Sequence, residues 1–287
     1  MGIESVTINL LNLLLNMNKT FMVWFSSTFA IFSGCLSFIP QDCFTSIWTC
    51  AEQGSYWGET LNKLLLLLAI GALTGIVMFL WRYFRQNITI NGYNYEVKIE
   101  FGDIFALNDC KKVISFDECF TTEVGRLPHQ IKPTSICGQF LSRHNDIDIP
   151  SLINSVGLKP SKKHSEYAGK ECYPSGSLIP YEDYLLMAFG KLNSDGRANM
   201  TRKEYTDSLS KLWQEIDKYF DQCDVAIPVL GSGITRFKDT SLNQQQLVDV
   251  IIASYRLSPY KIKHPHKLRI VCAKKDGFSL NEIDKSL

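Results

Sequence analysis

Two short motifs carry most of the chemistry legible in this chain. The first is Gly231-Ser232-Gly233-Ile234-Thr235, which follows the apolar run 225–230. A buried strand ending in G-x-G before a helix turns several backbone N–H groups outward. Such a nest holds phosphate without needing a positive side chain. A dinucleotide fingerprint would require a third glycine where Arg236 stands, and it would sit in the first strand–helix unit rather than near the end. The second motif is Gly102-Asp103-Ile104-Phe105. A carboxylate at a strand's end accepts from an exocyclic amine while the next backbone N–H donates to a ring nitrogen, and these are the polar demands of adenine. Taken alone, Asp103 reads equally as a helix N-cap. One motif suited to adenine and one suited to diphosphate, at opposite ends of one sheet, support each other.

Other candidate groups are sparse. The nine cysteines (35, 43, 50, 110, 119, 137, 172, 223 and 272) contain no C-x-x-C pair, so no metal site is expected. Cys43 and Cys50 share one loop and are candidates for a disulfide, whereas the remaining soluble cysteines should be reduced cytoplasmic thiols. Asp117 and Glu118 are the plausible general bases, although a loop carboxylate is ordinarily just solvated. With 30 Lys and Arg against 29 Asp and Glu, the net charge of +1 lacks the basic excess of a nucleic-acid binder. One basic cluster runs from Lys261 to Lys275, including Lys263, His264, His266, Lys267, Arg269 and Lys274. It reads as the solvated rim of a last strand, with lipid headgroups or a phosphate ligand as the alternative.

The elements that must position these motifs belong to residues 86–287, about 200 residues and so one domain. Residues 88–90 and 93–101 flank Asn91-Gly92, a strong hairpin signal. Tyr95, Val97, Ile99 and Phe101 alternate with Glu96, Lys98 and Glu100 as a half-buried strand should. Residues 113–116 read as a short apolar strand. Residues 180–192, with Tyr181, Tyr184, Leu185 and Ala188 on one side, read as a helix. Thr201 with Glu204 predicts a capping box, and the helix after it carries Tyr205, Leu209, Leu212, Ile216 and Tyr219 on one face. A strand over 225–230, a helix over about 243–255 and a strand over 267–272 complete an α/β pattern with a mixed sheet. Residues 125–175, rich in Pro, Ser and Lys, read as loops around the ligand mouth.

The first 85 residues have a different composition. Residues 64–81 are uncharged, and a helix of that length spans ~27 Å against a hydrocarbon core of ~30 Å. An earlier uncharged run, 21–39, is interrupted by Ser26, Ser27, Thr28, Ser33, Gly34 and Ser37; its hydroxyls could bond a neighbouring helix. Residues 1–85 are therefore expected to form a membrane region with spans at about 21–39 and 61–83. Lys19 before the first run and Arg82 and Arg85 after the second place both ends in the cytoplasm, with an acidic loop outside. Trp48, Tyr56, Trp57, Trp81 and Tyr83 fall where interfacial aromatic belts belong. Gly71 and Gly75, four apart, form a strip on which a second helix could pack. The apolar repeat Val6, Leu10, Leu11, Leu13, Leu14 and Met17 reads as a membrane-surface helix or as the lead-in to the first run.

EFGDIFAL (100–107) and IPVLGSGITRF (227–237) together resemble the macrodomain, an ADP-ribose-binding α/β/α fold. More narrowly, the chain resembles the membrane-anchored macrodomain effectors of bacterial Thoeris anti-phage systems. That resemblance rests on the order of two membrane runs, GDIF, VISFDECF (113–120), SICGQFL (135–141), YPSGSLIPYEDYLLMAFGKL (173–192) and VLGSGI. It implies Asp103, Ile104 and Phe105 at the adenine and Gly231, Ser232, Gly233, Ile234 and Thr235 around the diphosphate. Ser135, Ile136, Cys137 and Gly138 would form the facing loop. It also implies a histidine-ADP-ribose signal made from NAD by a TIR-domain enzyme. Binding would drive homo-oligomerisation and disruption of the bacterial inner membrane, with no resident cofactor and no nucleic acid. Hydrolytic macrodomains read roughly I-V-N-A-A-N where this chain reads Val113-Ile114-Ser115-Phe116-Asp117-Glu118, and no glycine triplet follows. A sensor is therefore expected rather than an enzyme, the alternative being a membrane-tethered hydrolase of ADP-ribosyl conjugates.

Overall fold

A computed structural model describes residues 19–39, 56–127, 129–233 and 236–283. The chain divides into two compact units, Met1–Arg85 and Gln86–Leu287. In the first unit, helix α1 covers Lys19–Ser37 and helix α2 covers Tyr56–Tyr83. Among the described residues one helix, Thr60–Tyr83, is long and apolar enough to cross a membrane. The expected two-span, multi-pass arrangement is therefore not supported. The first run is helical, but serine, threonine and glycine dilute its apolar character. Where its hydroxyls are placed they bond carbonyls of their own helix, Ser26 Oγ to Val23 O (3.1 Å) and Ser37 Oγ to Ser33 O (2.9 Å). The N-terminal apolar repeat, Trp48 and the pair Cys43 and Cys50 lie outside the described residues.

The second unit is built on a nine-stranded mixed sheet. Its strands are β1 Asn87–Gly92, β2 Tyr95–Phe101, β3 Cys110–Asp117, β4 Leu178–Tyr181, β5 Tyr184–Leu192, β6 Ala198–Met200, β7 Asp224–Pro228, β8 Arg236–Phe237 and β9 Leu268–Cys272. The order is β1-β2-β9-β7-β3-β5-β6-β8, with β4 also on β5. Strands β2, β9, β7, β3 and β5 run parallel, so their C-terminal ends share one edge.

Alternation along the central strands sends side chains to two layers. Leu185, Met187 and Phe189 of β5 join the cluster under helices α5 (Arg202–Tyr219) and α6 (Gln244–Leu257). Leu186 and Ala188 join a second cluster with Phe140 and Leu141 of α3 (Ile136–Arg143) and Ile149 and Ile153 of α4 (Ile149–Val156). Helices thus cover both faces in an α/β/α sandwich. A short helix, α7 (Leu280–Ile283), closes the described chain.

Several local expectations hold and three change. The Thr201–Glu204 capping box opens α5, and an Asn243–Gln246 box opens α6. Residues 180–192, expected as a helix, form the β4–β5 hairpin, with Glu182 at φ 50° in its tight turn. A strand buried on both faces is apolar throughout, and its sequence cannot be told from a buried helix by period. The first hairpin turns at Tyr93-Asn94, with Asn94 at φ 60°, and Gly92 pairs with Tyr95. Asn91 and Gly92 are therefore strand residues, and a side chain at Gly92 would run into the Tyr95 ring. Residues 125–175, expected as loops, contain both α3 and α4.

Candidate functional site

The C-terminal ends of β3, β5, β7 and β9 border a cleft of about 830 Å³. This is where open α/β sheets place ligands, because the connections diverge there and leave backbone groups unpaired. On one wall, Gly231, Ser232 and Gly233 follow β7 after Val229 and Leu230. Gly231 has φ 82°, a left-handed conformation, and a Cβ there would sit 3.3 Å from the Phe237 ring. The loop is held from below: the buried Tyr205 hydroxyl donates to Leu230 O at 3.0 Å. It is held from the side by Lys275 Nζ, which donates to Ser232 O at 2.7 Å.

The opposite wall is the start of α3. Ser135 is its N-cap and accepts from Gly138 N at 3.1 Å. Gly138 packs so closely on the Lys132 carbonyl that no side chain fits there. Ser135, Ile136 and Cys137 line the cleft with the glycine loop. A helix N-terminus therefore lies on the same cleft as a G-x-G turn, and both surfaces favour anions.

Not every expected residue lies here. Asp103, Ile104 and Phe105 do not line the cleft. Asp103 caps the 3-10 turn Ile104–Ala106, its Oδ1 accepting from Phe105 N at 3.0 Å. Ile104 is buried, and Phe105 lies under the Arg143 guanidinium, 3.8 Å from its centroid. Asp103 thus serves as a cap in this structure. The segment still follows β2 at the sheet edge that holds the cleft, since Gly102 N bonds Cys272 O and Ala273 lines the cleft. Ile234 and Thr235 lie outside the described residues.

Sequence reasoning missed the cleft's charge. Arg126, Lys132, Arg197, Arg236 and Lys275 line it, against one carboxylate, Asp117. Of these cations only Lys275 stood in the basic cluster; the others come from three separate stretches, 126–132, 197 and 236. The cluster itself is split, because Lys267 and Arg269 pair with Glu96 and Glu100.

Asp117 and Glu118, adjacent in sequence, have different roles, and neither is a solvated loop carboxylate. Asp117 Oδ1 accepts from Cys119 N (2.8 Å) and Thr121 N (3.3 Å), and Oδ2 accepts from the Thr121 hydroxyl. Burial pushes its carboxyl above the usual range despite those bonds. Glu118 faces inward, accepting from Ser165 Oγ (2.6 Å) and Leu192 N (3.1 Å). It fastens the end of β5 to the loop carrying Ser165 and is not a cleft residue. Burial also pushes the Cys119 thiol up to about 12 and the Cys137 thiol well above its ordinary value, so neither offers a thiolate at neutral pH.

The family described as Thoeris protein ThsA, Macro domain, matches residues 97–273. The Thoeris protein ThsA of Bacillus amyloliquefaciens (strain Y2) is 34 % identical over 227 residues, covering 76 % of this chain and 76 % of that one. An Oceanobacillus iheyensis macrodomain solved with ADPR aligns at TM-score 0.43 and 11 % identity, over 66 % of this chain and 91 % of its own. The macrodomain of the same organism solved with ADP aligns at TM-score 0.41 and 11 % identity, over 70 % and 98 %.

Proposed function

This chain belongs to the Thoeris ThsA macro-domain family, and from that membership we propose that its cleft senses an ADP-ribose-derived signal, with histidine-ADP-ribose as the expected form. The observation that carries this reading is the G-x-G turn and the α3 N-terminus on one cleft that holds five cations and one carboxylate. A diphosphate meets backbone N–H donors on both walls and a positive field around them.

As a Thoeris effector, the protein receives its signal from the TIR-domain partner of the system. The apolar helix Thr60–Tyr83 carries Arg82 in its last turn, with Arg85 just beyond, and this basic end supports a macrodomain on the cytoplasmic side of the inner membrane. Ligand binding shifts assembly only to the extent that the assembled state binds more tightly, so the cleft must couple to a protomer contact. Oligomerisation then brings the apolar helices together and disrupts the bilayer. The glycine strip of Gly71 and Gly75 is the helix face suited to that contact.

The same reading makes the protein a sensor rather than an enzyme. Asp117, the one carboxylate on the cleft, is engaged by three donors. The deciding experiment is calorimetry on the full chain in detergent with ADP-ribose and histidine-ADP-ribose, followed by chromatography of the recovered ligand. Saturable binding with intact ligand is expected. Conversion of the ligand would instead make the protein a membrane-tethered hydrolase, and no uptake of either compound would remove the nucleotide reading.

A further inference from the structure

The described residues of the loop from Glu123 to Ile131 form a braced arch whose members line the cleft. Its base closes through Ile131 N to Glu123 O (2.9 Å) and Gly125 N to Ile131 O (3.0 Å). Val124 and Ile131 pack against the hydrophobic cluster beneath α3 and α4 and anchor that base. The Gln130 side chain braces the arch from within. Its Oε1 accepts from Leu127 N at 3.0 Å, and its Nε2 donates to Glu123 Oε1 at 2.6 Å. Gly125 has no side chain where one would land on Gln130 Oε1, so the residue type at 125 and the brace depend on each other. From this frame Arg126, His129 and Lys132 line the cleft. The His129 ring also stacks on Tyr167, with centroids 6.1 Å apart and planes at 24°.

Elsewhere in the domain many cations are neutralised in place. Lys98, Lys111, Lys191, Lys218, Lys267 and Arg269 each pair with a carboxylate. Among the described residues no carboxylate pairs with Arg126, and its guanidinium is exposed at the cleft. An arginine held over an anion-suited cleft by an internally bonded loop is arranged to meet a ligand's charge. Its fixed fork of N–H donors matches phosphate or carboxylate oxygens two at a time.

We propose that Arg126 is a ligand-contacting residue that clamps the anionic part of the bound nucleotide, and that Gln130 is the positioning residue that holds it there. The proposal rests on the ADP-ribose reading of the cleft. It adds that charge is recognised by a side chain presented on a braced arch, besides the backbone donors of the glycine loop.

The test is ADP-ribose binding to the full chain in detergent at low and high salt, for the wild type, Arg126→Ala and Gln130→Ala. Arg126→Ala is expected to weaken binding about tenfold at low salt. It should also flatten the salt dependence, because a screened charge contact has been lost. Gln130→Ala is expected to weaken binding by a smaller factor, about threefold, with the melting temperature unchanged. Arg126→Ala with wild-type affinity and wild-type salt dependence would overturn the proposal while leaving the nucleotide reading intact. A wild-type chain that takes up neither ADP-ribose nor histidine-ADP-ribose at either salt would overturn both.

Discussion

Two regions of the soluble unit use the same residue types to opposite ends. On strands β2 and β9, Glu100 bridges Lys98 and Arg269 at 2.7 Å each, and Glu96 holds Lys267 at 3.1 Å. Each cation there is paired, two carboxylates holding three cations, and the pairs fasten neighbouring strands. Around the cleft, five cations face a single carboxylate, which is itself bound by three donors. Charge there is left unbalanced. A chain of net charge +1 contains both regions, so overall charge describes neither. What differs is spacing. The paired residues lie along β2 and across to its neighbour β9, whereas the cleft cations come from loops and the short strand β8, and among the described residues none of them forms an ion pair with a carboxylate.

The sharpest way to break this contrast is to put an acid into the unbalanced region. Arg197→Glu reverses a charge on the cleft wall and should weaken ADP-ribose binding about a hundredfold at low salt, or about 2.7 kcal/mol. Denaturant unfolding should barely change, because Arg197 is exposed. Comparable losses of affinity and of stability would show that the cleft cations serve the fold instead.

Removing the acid from the balanced region should do the reverse. Glu100→Ala leaves the half-buried Arg269 without its partner and should cost about 2 kcal/mol of stability, read by urea denaturation. Ligand affinity should stay at the wild-type value. The pH dependence sharpens the point. Burial alone would raise the Glu100 pKa, but its bonds to Lys98 and Arg269 outweigh burial and leave it lowered. Its contribution is therefore present above the ordinary carboxylate range and is lost as pH falls through its folded pKa. Glu100→Ala should flatten that acid-side decline.

Asp117 should behave oppositely and more weakly. Burial raises its pKa, so the folded state holds the proton more tightly than the unfolded chain does. The associated stability is full below the unfolded value, about 4, and is lost as pH rises through the folded one. Asp117→Asn retains an oxygen for the Cys119 and Thr121 amides and should remove that decline, a change below about 1 kcal/mol. Wild-type-minus-variant stability differences plotted against pH should have slopes of opposite sign for the two substitutions; slopes of the same sign would contradict the assignment of the two environments.

Motifs written in consecutive residues were legible in advance. The glycine loop, the Thr201 capping box, the face of α5 and the presence of α6 follow from local spacing, and the structure contains each of them. Ser135 to Gly138 came from family resemblance and proved to be the start of a helix. Residues 180–192 misled because Leu185 to Phe189 are apolar without interruption, and period is uninformative when both faces are buried. Asn91-Gly92 misled because the turn formed two residues later, where Asn94 takes the left-handed conformation.

The sequence by itself determined the class of the protein. Strand and helix periods, a G-x-G after a buried strand and an 18-residue uncharged run are local quantities, fixed by backbone geometry and by burial of apolar surface. The tertiary structure alone decided which charges meet. Arg126, Arg197, Arg236 and Lys275 are up to 149 positions apart and share one cleft, while Asp117 and Glu118 are neighbours and separate. Electrostatic interaction depends on distance through space and on desolvation, and both arise only when parallel strands bring their C-terminal ends to one edge.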